Sequence, residues 1–91
     1  MEITFDPEKD RANRQKHGVS LAFAPTILAD PERLDILDVR FDYTEERIVT
    51  YGRVDERVWV CAQASRATVR RIISVRKAND RETKRYQQSA R

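Results

Sequence analysis

With 91 residues, 40% apolar and 36% charged, the chain is expected to form one domain over residues 1–91 rather than a disordered polymer. The single Cys61 excludes an internal disulfide framework, and no apolar run approaches the roughly 20 residues that span a bilayer. Met1 to Asp10 carries charge where a signal peptide needs an apolar run, so a cytoplasmic location is expected.

The formal charge of +3 hides an asymmetry. Asp30 to Glu56 is acid-rich, whereas from Arg57 onward the bases face only Asp80 and Glu82. A basic C-terminal third attracts polyanions, nucleic acid first; ordinary ion pairing is the other reading.

Glu2 to Phe5 alternates polar and apolar residues, which predicts a short strand. Asp6-Pro7-Glu8 then signals a helix start, with Asp6 as N-cap and Pro7 at the first helical position. This helix runs to about His17, with Gly18 as a left-handed cap. Ala12 is its one clearly apolar residue, so it lies outside the core or meets a partner. Ser20 caps a second helix whose Leu21, Phe23, Ala24, Ile27 and Leu28 form the main core-facing surface. Pro25 predicts a kink or a short first turn there, and Asp30-Pro31 ends it.

Strands are expected over Leu34–Val39, Arg47–Arg53, Arg57–Ala64 and Val69–Val75, with a tight hairpin at Val54-Asp55-Glu56. A polar helix begins near Asn79 or Asp80. The expected class is α+β: a small antiparallel twisted sheet with two N-terminal helices and one C-terminal helix, packed mainly on one face.

One histidine and one cysteine match no metal spacing, and no glycine-rich phosphate loop is present, so neither metal nor cofactor is expected. The distinctive feature is the base cluster Arg66, Arg70, Arg71, Arg76 and Lys77. Strict alternation puts Arg70, Ile72, Ser74 and Arg76 on one face of the last strand and Arg71, Ile73 and Val75 on the other. Guanidinium forks suit phosphate oxygens and the extra charge of a phosphoryl transition state; they equally suit the acids of the middle segment. His17 titrates near neutrality and is a candidate acid or base, or a structural histidine at a helix end. Lys9, Asn13 and His17 form a polar helical stripe able to touch RNA. Tyr86 can stack on a base or cover the sheet, and Glu82, one turn before it, can act as a base or pair with a cation. Trp59, Tyr51 and Cys61 are expected in the core.

Read together, several segments resemble the BrnT toxin family over nearly the whole chain. They are Phe5-Asp6-Pro7-Glu8-Lys9, Asn13, Lys16-His17-Gly18-Val19-Ser20, Asp30-Pro31, Glu45-Glu46-Arg47, Tyr51-Gly52, and Arg71 through Ala78 with Glu82 and Tyr86. The resemblance implies a RelE-like fold and a metal-independent endoribonuclease of a type II toxin–antitoxin module that arrests translation. It also implies a BrnA-like ribbon-helix-helix antitoxin in a complex with two copies of each protein, reaching operator DNA only through the antitoxin. By the same resemblance, RNA is cut by attack of a ribose 2′-hydroxyl on its adjacent phosphate. Arg66, Arg76, Tyr86, His17 and Glu82 are then catalytic candidates, and Lys9, Asn13, Arg70, Arg71 and Lys77 RNA-binding ones. The alternative is a catalytically inactive nucleic-acid-binding or co-repressor subunit of the same complex. Three positions depart from the family pattern. Tyr43-Thr44 replaces a common His-Ser, Arg70 replaces an apolar residue, and Phe23 replaces a glutamate.

Overall fold

The computed structural model describes residues 2–40 and 45–89. The Tyr43-Thr44 departure lies outside them. The elements follow in the order β1 (Glu2–Thr4), α1 (Pro7–His17), a 3₁₀ turn (Leu21–Phe23), α2 (Ala24–Leu28), β2 (Leu34–Arg40), β3 (Glu46–Val54), β4 (Arg57–Arg66), β5 (Val69–Lys77) and α3 (Asp80–Ser89). The five strands form one sheet in the order β1-β5-β4-β3-β2. All pairs are antiparallel except β1 with β5, so the expected antiparallel sheet of an α+β fold is present, with one parallel pair at its edge.

The helix signals act as their chemistry demands. Asp6 accepts the Glu8 amide at 2.9 Å, and Gly18, at φ 74°, returns its N–H to the Arg14 carbonyl. Pro25 sits at the start of α2, and the turn before it tightens to 3₁₀. The two-residue turns closing β3–β4 and β4–β5 place Asp55 and Ala67 at positive φ without any glycine.

The sheet has a helix-covered front and a partly covered back. On the front, Leu21, Ala24, Ile27 and Leu28 pack on Cys61, Ile72 and Val75. Leu21, Ile27, Ile72 and Val75 are fully buried, each contributing about 1.5–3 kcal/mol of apolar transfer. Close approach of α2 to β3 depends on Gly52, where an added Cβ would lie 2.5 Å from the Ile27 carbonyl oxygen. On the back, Tyr86 of α3 packs with Tyr51, Val58, Val60 and Ala78. The sequence pattern put helices mainly on one face; two helical segments do lie there, while α3 takes the other.

α1 is tied down by polar anchors. β1 ends at Thr4 opposite Arg71, and among the described residues the outer edge of β5 has no strand partner further on. Asn13 takes over: its Nδ2 donates to the Val75 carbonyl at 2.8 Å, and its Oδ1 accepts the Val75 amide at 3.1 Å. The same Nδ2 donates to the Val19 carbonyl at 2.9 Å. Asp10 Oδ1 accepts the Leu21 amide at 2.7 Å and the Ser20 hydroxyl at 2.8 Å; the Leu21 bond leads in holding that carboxyl below its ordinary pKa.

Beyond the helices the front face carries a polar chain. Arg70 Nη1 donates to Gln63 Oε1 at 2.7 Å, Gln63 Nε2 to Thr50 Oγ1 at 2.8 Å, and Thr50 Oγ1 to Asp35 Oδ1 at 2.6 Å. Gln63 and Thr50 are fully buried, so these bonds meet the need of buried polar groups for partners. Beside them, burial pushes the Cys61 thiol up to about 12, which makes it an inert core residue.

Candidate nucleic-acid interface

A bulge decides which bases share a face. Ala62 pairs with Ser74, but Gln63 pairs with Ile72, so Ile73 is an extra residue in β5. One extra residue swaps the faces of everything beyond it. Arg71 therefore joins Ser74 and Arg76 on the back, opposite Ala64, Ala62 and Val60. Arg70 moves to the front and bonds Gln63. Strict alternation in the sequence implied the reverse grouping, with Arg70 beside Arg76. Lys77, exposed and opposite Trp59, also belongs to the front register.

Arg76 lies where β5 meets the start of α3. Its Nη1 and Nη2 donate to Glu82 Oε1 and Oε2, both at 2.8 Å. Glu82 is held in turn by a reciprocal cap: its Oε1 accepts the Asn79 amide at 2.9 Å, and its own amide donates to Asn79 Oδ1 at 2.8 Å. The Arg76 hydrogen bond is the leading reason the Glu82 carboxyl sits below its ordinary pKa. A guanidinium has five N–H donors. Nη1 also reaches the Lys77 carbonyl at 3.3 Å. One hydrogen on Nη2 and the Nε hydrogen therefore remain without a protein acceptor among the described residues. Glu82 thus aims Arg76 and leaves one side of its fork open.

A shallow cleft of about 190 Å³ opens where the last turns of α1 cross the outer edge of β5. Lys9, Lys16 and His17 line it from the helix, and Ile73 and Ser74 from the strand. Partial burial first, then the charges of Lys16 and Arg76, holds the His17 imidazole below its ordinary pKa. At neutral pH its neutral form, able to accept a proton, is therefore favoured. Asn13 is bonded to Val75, so His17, one turn further along α1, and Arg76, the next residue of β5, flank the same edge of the sheet, although Arg76 does not line the cleft itself.

The other candidates are placed differently. Asn13 is 6% exposed, and its carboxamide is committed to Val75 and Val19. Tyr86 is 2% exposed, and its hydroxyl donates to Asp30 Oδ2 at 2.5 Å. Burial, then that bond, pushes its pKa up to about 12. In this structure both residues hold the fold together. Arg66 pairs with Val69 at the hairpin, seven residues from Arg76 along β5. At ~3.3 Å per residue the two lie about 20 Å apart and do not meet at one phosphate. Lys16 and Ser74, in the cleft, were not among the sequence candidates; Lys16 was detectable only as the neighbour of His17. Among the described residues no three His, Cys, Asp or Glu side chains gather at metal-binding distance, and no helix is long and apolar enough to cross a membrane.

Comparison with curated proteins gives no match. The family model described as the ribonuclease toxin BrnT of type II toxin–antitoxin systems matches residues 5–82. That stretch begins at Phe5, just before α1, and ends at Glu82, so it includes the α1 cleft, β5 and the partner of Arg76. The chain belongs to the BrnT family of ribonuclease toxins of type II toxin–antitoxin systems.

Proposed function

We propose that this toxin cuts RNA without a metal ion, at the seam between α1 and β5. The observation that carries the reading is the cleft where His17, Lys9 and Lys16 meet the edge of β5, next to an Arg76 that Glu82 aims and that still holds two open donors. In this reaction His17 takes the proton of a ribose 2′-hydroxyl. The 2′ oxygen attacks the adjacent phosphorus, and the bond from phosphorus to the 5′ oxygen breaks. The departing 5′ oxygen takes a proton from an ammonium group of Lys9 or Lys16, both in the cleft. Arg76 binds the phosphoryl oxygens, whose charge rises in the transition state. Glu82, ionised and capped by Asn79, acts through Arg76 rather than on substrate.

A type II toxin has a cognate antitoxin; we propose a BrnA-like ribbon-helix-helix protein, two copies of each chain per complex, with growth arrest through loss of translation. The experiment is cleavage of a short RNA in EDTA with analysis of the new ends. A cyclic 2′,3′-phosphate and a 5′-hydroxyl are expected, and a single 2′-deoxy substitution at the cut site should stop the reaction. Intact RNA in EDTA, with cutting restored by added metal, refutes the mechanism. Occupation of Arg76 by Glu82 favours the second reading, a subunit that binds RNA without cutting it; that reading expects salt-sensitive binding and no new ends.

A further inference from the structure

A second cleft, of about 440 Å³, lies away from both His17 and Arg76. It lies at the opposite end of the sheet, on the back face that α3 leaves uncovered, and its lining includes Thr4, Glu45, Ala64, Arg66 and Arg71. Two features make it cationic. Arg66 is exposed and has no ion pair among the described residues. Arg71 makes only a long contact with Glu45, Nη2 to Oε1 at 3.6 Å, with half its side chain exposed.

The bulge at Ile73 puts this cleft on the same face as Arg76. Between them the strands present Ala62, Ala64 and Ser74 from paired positions of β4 and β5. Ala62 and Ser74 are half-buried and Ala64 is buried, so the path from the Arg76–Glu82 corner to the β4–β5 hairpin is lined by small side chains of β4 and β5, with Arg47 of β3 beside Ala64. A polyanion lying along this path meets guanidinium groups at both ends and no bulky residue from β4 or β5 between them.

We propose that Arg66 and Arg71 form a remote phosphate subsite for the same RNA strand whose scissile phosphate lies at Arg76. The subsite rests on the ribonuclease reading above and gives it a substrate length. The two ends are about 20 Å apart along β5. A stacked strand rises about 3.4 Å per nucleotide, so about six stacked nucleotides reach from one to the other, and fewer do if the strand is stretched. Substrates shorter than this occupy the reactive end alone.

The test compares the full-length parent with Arg66→Ala and Arg66→Lys on an RNA dinucleotide and on a 10-nucleotide RNA. Cleavage and fluorescence-anisotropy binding are both measured. For Arg66→Ala the expected result is an approximately tenfold rise in KM and Kd on the 10-mer, with kcat kept. The slope of log K against log salt should fall by about 0.7 for each phosphate that the variant no longer neutralises. On the dinucleotide, parent and variant should match, and Arg66→Lys should recover most of the 10-mer affinity.

Equal loss on dinucleotide and 10-mer overturns the proposal, because Arg66 would then act at the reacting phosphate. An unchanged 10-mer Kd and salt slope overturn it as well. If the parent cuts neither RNA, the ribonuclease reading fails, and the 10-mer binding data still decide whether the subsite exists. If Arg66→Ala weakens antitoxin binding while RNA binding is untouched, the cleft takes acidic protein side chains, and the RNA subsite is refuted.

Discussion

Replacing Asn13 by alanine separates a structural role from an RNA-binding one. The change deletes three hydrogen bonds: two between the carboxamide and the buried Val75 peptide groups, and one to the Val19 carbonyl. Among the described residues no strand lies outside β5 at this point to supply replacements, since β1 stops opposite Arg71. Each buried polar group left without a partner costs about 1–3 kcal/mol, so two at Val75 cost about 3 kcal/mol. A 91-residue chain has a total stability of roughly 5–14 kcal/mol, so the loss is a large part of it. At 4–8 °C per kcal/mol for a domain of this size, Tm should fall by about 15 °C. Urea denaturation followed by circular dichroism measures this directly. Asn13→Asp sharpens the test, because it keeps the acceptor for the Val75 amide but turns a carboxylate oxygen toward two carbonyls. At pH 7 it should be no more stable than Asn13→Ala. A loss below about 1 kcal/mol for Asn13→Ala, together with weakened RNA binding, would refute the anchoring role.

Gly52→Ala should destabilise the fold by about 3 kcal/mol, because the new methyl group meets the Ile27 backbone, which has no free rotamer to yield; thermal denaturation checks it. Tyr86→Phe should cost about 1.5 kcal/mol through loss of the bond to Asp30 and leave the cleavage rate unchanged, which equilibrium unfolding and a rate assay read together. His17 titrates lower in the folded chain than in the unfolded one. Its contribution to stability is therefore fully present above the ordinary imidazole pKa and is lost as pH falls through the lower folded value. Unfolding from pH 7.5 to 5 should show this loss, and His17→Gln should remove it. In the same range kcat/KM should rise with pH, with an apparent pKa below 6.5.

The parts of the fold legible in the sequence are those set by local chemistry. Asp6, Pro7 and Gly18 mark the ends of α1, and Pro25 sits where the 3₁₀ turn passes into α2, because caps and proline act within one turn of chain. The strands of the sheet were visible in their β-branched and aromatic runs. The parallel β1–β5 pairing depends on contacts distant in sequence, and no local pattern carries it. The site was less legible for a specific reason. One bulge residue, Ile73, exchanges the faces of Arg70 and Arg71, and alternation counted along the chain cannot register it. The attachment of α1 was hidden too. Hydrophobic patterning finds apolar stripes, whereas this helix is held by Asp10 and Asn13. One signal was present and unused. Asn79 and Glu82 stand at the spacing of a reciprocal helix cap, which fixes Glu82 beneath Arg76.

The most direct measurement is the single-turnover cleavage rate of Arg76→Ala on an RNA dinucleotide, with unfolding curves confirming that the variant is folded. Loss of a donor to the charged transition state should lower that rate by about a hundredfold or more. An Arg76→Ala protein that cuts the dinucleotide at the parental rate would contradict catalysis at the seam of α1 and β5.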